Sequence, residues 1–138
     1  MLIVKTRLNL SKISGIGLYA DEFIPKGTII WKFTDCLDLS FNEAQYQEYK
    51  KKHNFYRLDH YVYKSKISGN YILCTDDARF INHSYHPNTI DTMNDVEGLT
   101  IASRDIYEGE EITSNYEAFD ADFNTYKHQL LQEQDVSE

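Results

Sequence analysis

Short strand-like runs dominate the N-terminal part of the chain. Leu2 to Leu8 alternates loosely between apolar and polar residues. Ile16 to Ala20 starts among glycines, and Thr28 to Phe33 is β-branched and aromatic; each predicts a strand. Ile24-Pro25-Lys26-Gly27 predicts a turn, because proline presets φ at the second position and glycine suits the fourth. The same grammar returns later, with Ala20, Ile24, Gly27 and Ile30 matched at one offset by Ala102, Ile106, Gly109 and Ile112. Shared hairpin grammar accounts for the match, and it predicts two units of like shape at opposite ends of the fold.

Between these units Ser40-Phe41-Asn42-Glu43 has the form of a capping box, opening a surface helix that runs to about Lys52. Its Lys50-Lys51-Lys52 end suits the negative end of the helix dipole. A hairpin follows, Tyr61-Val62-Tyr63 with Tyr71-Ile72-Leu73 across Ser68-Gly69-Asn70. Near the C-terminus Phe119, Phe123, Tyr126 and Leu130 form an apolar stripe at helical spacing, and the tail from Gln132 is polar and expected to fray. Without βαβ alternation, the expected class is mainly β with peripheral helices, not a doubly wound α/β fold.

Composition narrows the function. A chain of 138 residues, 41% hydrophobic, makes one domain with its own core. No apolar run is long enough for a membrane span, and the N-terminal residues lack a signal-peptide pattern. Two cysteines, Cys36 and Cys74, are too few for a disulfide framework. The expected location is therefore soluble and intracellular: the cytoplasm, or a nucleus or host cell if the source is microbial or viral. A net charge of -8 argues against direct nucleic-acid binding. It either favours encounter with basic, lysine-rich protein partners or serves solubility. Eleven Tyr and seven Phe suggest an aromatic channel, or a small domain packing large rings.

Two segments carry the chemistry: Arg79-Phe80-Ile81-Asn82-His83-Ser84-Tyr85-His86-Pro87-Asn88 and, about twenty residues on, Gly109-Glu110-Glu111-Ile112-Thr113-Ser114-Asn115-Tyr116. With Gly15-Ile16-Gly17-Leu18-Tyr19 upstream, they resemble the signature of the SET-domain family, protein-lysine N-methyltransferases that use S-adenosylmethionine. The resemblance covers about residues 3 to 117. It implies a β-clip-like fold of short sheets with a C-terminal pseudoknot. Residues 1–117 would form the SET domain, with a variable insert at about 38–70 that sets substrate choice. Residues 118–138 would be a helix and tail packed on it.

By the same resemblance Tyr116 is the catalytic tyrosine, whose hydroxyl orients the amine beside the transferring methyl; by itself it reads equally as a core tyrosine. Asn82 and His83 match positions that contact the cofactor, although His83 also fits a satisfied core histidine. Gly15, Ile16 and Gly17 would hold the methionine and adenosine portions, glycine allowing close backbone approach. Arg79 would pair with the cofactor carboxylate or with Asp76 or Asp77. Phe119 or Phe123 would pack on adenine or simply fill the core. Asn88 would pin the knot. Phe33, Asp91 and Ser114 fall on the implied lysine channel, the small Ser114 leaving room for more than one methyl.

The chain departs from the family at Tyr85, where many members place a zinc-binding cysteine, and no cysteine-rich segment follows. No metal is expected. The C-terminal helix, or a second subunit in a homodimer, must then close the channel. Two other readings remain. His83 and His86 with Cys74, Asp76 or Asp77 could hold a hydrolytic metal, and the chain could be a non-catalytic SET-like module that binds a protein partner or cofactor.

Overall fold

The computed structural model describes residues 1–53 and 57–137, with side chains through residue 134. Residues 54–56, within the expected insert, and residue 138 of the expected tail lie outside the described residues. The described residues form ten short strands in four small sheets. β1 (Thr6–Leu10) pairs antiparallel with β2 (Ile16–Ala20). β3 (Ile29–Lys32), β9 (Leu99–Ala102) and β8 (Thr89–Thr92) form an antiparallel sheet in that order. β4 (Leu39–Phe41), β6 (Tyr71–Leu73) and β5 (Val62–Lys64) form another. β7 (Asn82–His83) pairs parallel with β10 (Thr113–Ser114). Among the described residues three α-helices lie around the sheets: α1 (Glu43–Lys52), the single turn α2 (Leu58–Tyr61) and α3 (Phe123–Ser137). None is long and apolar enough to cross a membrane.

The two strand–turn–strand units face each other; they do not sit at opposite ends. Ile24 and Ile106 exchange both backbone bonds at 2.8 Å. Gly27 N–H donates to Ala102 O and Gly109 N–H to Ala20 O, each at 2.8 Å. Ala20 N–H donates to Glu110 O and Ala102 N–H to Thr28 O, each at 2.9 Å. Matching positions thus make matching bonds, an approximate two-fold relation. The matched apolar residues Ala20, Ile24, Ile30, Ala102, Ile106 and Ile112 join Leu18 in one buried cluster, the main core. Periodicity identifies each unit but says nothing of its partner, which the backbone bonds decide.

Helix α1 starts two residues later than the sequence suggests. Asn42 is the cap, its side chain accepting from Gln45 N–H, while the Gln45 side chain accepts from Asn42 N–H. Phe41 is thereby left in β4, paired with Tyr71. As expected of a surface helix, α1 buries only Tyr46, stacked on Tyr71 at 3.8 Å between ring centroids. The expected hairpin forms, as β5 and β6. Phe119 precedes α3 and is not part of it, and the helix continues past Gln132 to Ser137.

Candidate functional site

Asn88 binds the two signature segments together. Its side chain accepts from Thr113 N–H at 2.9 Å and donates to Glu111 O at 2.8 Å, while Thr89 Oγ1 donates to Thr113 O at 2.8 Å. These bonds tie β10 to the start of β8 while its backbone pairs with β7, so the chain leaving Ser114 delivers Tyr116 beside His83. Tyr116 N–H donates to His83 Nδ1 at 3.1 Å, and the Tyr116 hydroxyl donates to Ile81 O. Asn88 is the pin that the motif implies.

The upstream loop reaches the same place. Asn82 Nδ2 donates to Ser14 O at 3.1 Å, to Ile16 O at 3.3 Å and to Glu111 Oε2 at 3.2 Å. Glu111 also accepts from Ser11 Oγ at 2.6 Å. A Cβ on Gly17 would lie 2.8 Å from the Glu111 carboxyl carbon, so glycine there admits Glu111. A Cβ on Gly15 would meet nothing within 4 Å, and its φ of +49° falls in the left-handed region that glycine favours.

These segments border a cavity of about 760 Å³. Of the residues singled out in the sequence, Gly15, Ile16, Arg79, Asn82, Asp91, Ser114 and Tyr116 line it. Gly17, His83 and Phe33 do not line it. Phe33 lies past the end of β3, packed against Trp31, Cys74 and Ala78, so the β3 ring that lines the cavity is Trp31. His83 is a buried core histidine, its ring near those of Tyr85, Tyr116 and Phe123 at 4.6, 5.2 and 5.0 Å. Burial holds its pKa below the usual histidine value, against the opposing pull of Glu117. Its backbone carbonyl accepts from Gln134 of α3 at 3.2 Å.

Arg79 makes no ion pair with Asp76 or Asp77. Asp76 instead accepts from Leu2 and Ala78 N–H, and the Arg79 guanidinium rests over the rings of Tyr61 and Phe80 at 5.5 and 5.0 Å. Among the described residues it has no carboxylate partner.

The sequence reading gives no site role to two lining residues, Tyr63 and Trp31, and offers a third, Cys74, only as a metal ligand. Tyr63 packs edge-on against Phe119 at 4.9 Å, and Phe119 continues the aromatic wall to Tyr116 at 5.7 Å. Trp31 and Cys74 stand on the same side of the cavity. Burial pushes the Cys74 thiol up to about 12 and raises the Tyr63 and Tyr116 hydroxyls above their ordinary values. Cys74 is therefore an unreactive thiol and both tyrosines stay protonated. Period-two alternation across Tyr61-Val62-Tyr63 could have pointed to Tyr63, and Trp31 is the chain's one tryptophan. Helix α3 contributes Tyr126, Gln129 and Leu130 to the far wall. No group of three His, Cys, Asp or Glu able to hold a metal occurs among the described residues, and His86 is exposed and apart from buried Cys74.

A small β domain whose knotted strands and glycine loop meet at an aromatic-walled cavity defines a recognisable class. The chain belongs to the SET domain family, whose profile matches residues 15–117. Similar curated proteins include the Drosophila melanogaster "Histone-lysine N-methyltransferase trr", 33% identical over 126 residues, 85% of this chain and 5% of that protein. A Chaetomium globosum "Histone-lysine N-methyltransferase, H3 lysine-4 specific" is 34% identical over 122 residues, 77% of this chain and 10% of that protein. Both relatives are far longer than this chain. Among solved structures, "ctPRC2 in an autoinhibited conformation bound to S-adenosylmethionine" matches with a TM-score of 0.63 and 20% identity, over 91% of this chain and 17% of that one. This last likeness is one of fold.

Proposed function

We propose that this chain transfers a methyl group from S-adenosylmethionine to the ε-amine of a lysine in a protein. The observation that carries the reading is the meeting of Tyr116, Asn82 and the Ser14–Ile16 loop at one cavity. The residues fit the methyl donor. Arg79 offers a carboxylate a guanidinium that has no ion-pair partner among the described residues, Gly15 borders open space, and aromatic rings line the wall. When bound, the donor supplies an electrophilic methyl on a sulfonium.

The protein's own residues supply the rest. A lysine of pKa near 10.4 must lose its proton, at a cost of roughly 4.6 kcal/mol at pH 7. A desolvating aromatic channel lowers that cost by disfavouring the ammonium. The Tyr116 proton is directed to Ile81 O, leaving oxygen lone pairs to accept an amine N–H and orient the nucleophile. Asn82 keeps the loop in register with the knot, a positioning role. Ser114, buried on β10, leaves room for more than one methyl; exhaustive reaction yielding only monomethyl-lysine would oppose that part. The acidic surface and the relatives' histone-directed names favour a basic protein acceptor. We take α3 as the element that closes the channel; an obligate dimer in light scattering would assign that task to a second subunit.

Calorimetry with S-adenosylmethionine tests the donor site. Arg79→Ala should weaken binding about tenfold, in keeping with loss of a charge-assisted bond. Equal affinity in the two proteins would remove Arg79 from the site.

A further inference from the structure

Of the other carboxylates that are fully or partly buried, Asp76 and Asp120 have donors on both oxygens, and Asp38, whose Oδ1 has no partner among the described residues, is ion-paired through Oδ2 with the N-terminal ammonium. Asp76 accepts from Leu2 and Ala78 N–H, and Asp120 from Lys64 N–H, Asp122 N–H and the Tyr126 hydroxyl. Asp91 differs. Its Oδ1 accepts from Thr100 Oγ1 at 2.8 Å, while Oδ2 has no donor and the residue no ion pair among the described residues.

The sheet explains its placement. Trp31, Thr100 and Asp91 stand directly opposite one another across β3, β9 and β8, so their side chains share one face, and all three line the cavity. The buried Trp31 indole N–H beside them is also unpartnered. The acids Asp91, Cys74, Glu97 and Asp38 all lie within electrostatic reach of Tyr63 on β5, and the cations that line the same cavity, Lys64, Lys66 and Arg79, make no ion pair with Asp91 among the described residues. A poorly solvated carboxylate that the protein leaves without a cation is suited to a cation that arrives from outside.

We propose that Asp91 receives the acceptor: an alkylammonium entering the cavity donates an N–H to Oδ2, with the rings of Trp31 and Tyr63 alongside its alkyl stem. This deepens the lysine reading and rests on it. Asp91 thereby acts at capture: it selects acceptors that carry positive charge and an N–H and sets their affinity, leaving donor binding alone. The proton lost before transfer passes to solvent water as the amine moves from Asp91 to the Tyr116 oxygen. No bond to carbon is made or broken at Asp91.

The test has two arms on the full chain. In the first, carboxyl-carbon NMR follows Asp91, assigned by Asp91→Asn. Burial raises its pKa to about 6. Added n-butylammonium chloride should lower that value by about one unit, as a nearby opposite charge does, and n-butanol should not. Equal response to the two probes overturns the proposal. In the second, Asp91→Asn should raise KM for a lysine-bearing protein about tenfold, with kcat and donor affinity held. The fall of wild-type kcat/KM as pH drops through about 6, where Asp91 gains its proton, should vanish. Unchanged acceptor KM in the variant also overturns it. A wild-type chain that methylates no protein, yet passes the first arm, keeps the cation site and refutes the lysine reading.

Discussion

Residues 20–30 and 102–112 contain the same buried pattern and are joined by the same reciprocal backbone bonds, yet they lead to different ends. At Ile30 the chain is already in β3, which pairs antiparallel with β9 as a sheet edge and contributes Trp31 to the cavity. After Ile112 it enters β10, pairs parallel with β7 and brings Tyr116 to His83. The symmetric part is scaffold. Chemistry starts where the symmetry breaks, at the residues immediately past each unit, and Asn88 is the side chain that makes the second exit differ from the first.

The largest effect should come from the shared part. Ile24→Ala and Ile106→Ala, both fully buried, should each cost about 2–5 kcal/mol in denaturant unfolding, and similar amounts. A large cost at one and almost none at the other would break the equivalence of the units. Next is the pin of the second exit. Asn88→Ala strands Thr113 N–H and Glu111 O, so unfolding should be easier by about 1–3 kcal/mol for each group left unsatisfied. Hydrogen exchange at Thr113 should quicken while that at Ile24 keeps its protection relative to global stability. Loss spread evenly over both units would mean that the knot is no separate element.

Tyr116→Phe sharpens the chemical side of the contrast. Turnover should fall ten- to a hundredfold, about 1.4–2.7 kcal/mol in barrier, with donor binding retained. The smallest effect concerns pH. The His83 pKa is lowered in the fold, so its contribution to stability is present above the unfolded value and lost as pH falls through the lowered one. Asp91, raised to about 6, contributes oppositely: its stabilisation is present below the unfolded value and lost as pH rises through about 6. In an Asp91→Asn background, a drop from pH 7.5 to 5.5 should therefore lower the urea midpoint, and His83→Gln should remove that drop.

The motif residues were legible because the chemistry sits in contiguous stretches. Tyr116, Asn82, Ser114 and the Gly15 loop announce themselves in sequence and do meet at one cavity. Local pattern could not show what pairs with what. The matched turn units read as separate hairpins because periodicity carries no partner information, and only reciprocal bonds reveal that they face each other. Glu111 lies inside the motif with no role assigned from sequence; its role comes from Asn82, Ser11 and Gly17, all distant in sequence. The family resemblance implies Phe33 as a channel residue, but the strand stops at Lys32 and the cavity takes Trp31 instead. The capping box moved from Ser40 to Asn42 because β4 claims Ser40 and Phe41 for its ladder with β6.

The most direct test is methyl transfer itself. The protein is incubated with isotopically labelled S-adenosylmethionine and a panel of lysine-rich proteins, histones and the chain itself included, and the products are read by tandem mass spectrometry. The account predicts label on lysine ε-nitrogens, reduced ten- to a hundredfold in Tyr116→Phe. Donor binding without label on any lysine, or equal labelling by the Tyr116→Phe protein, would contradict it.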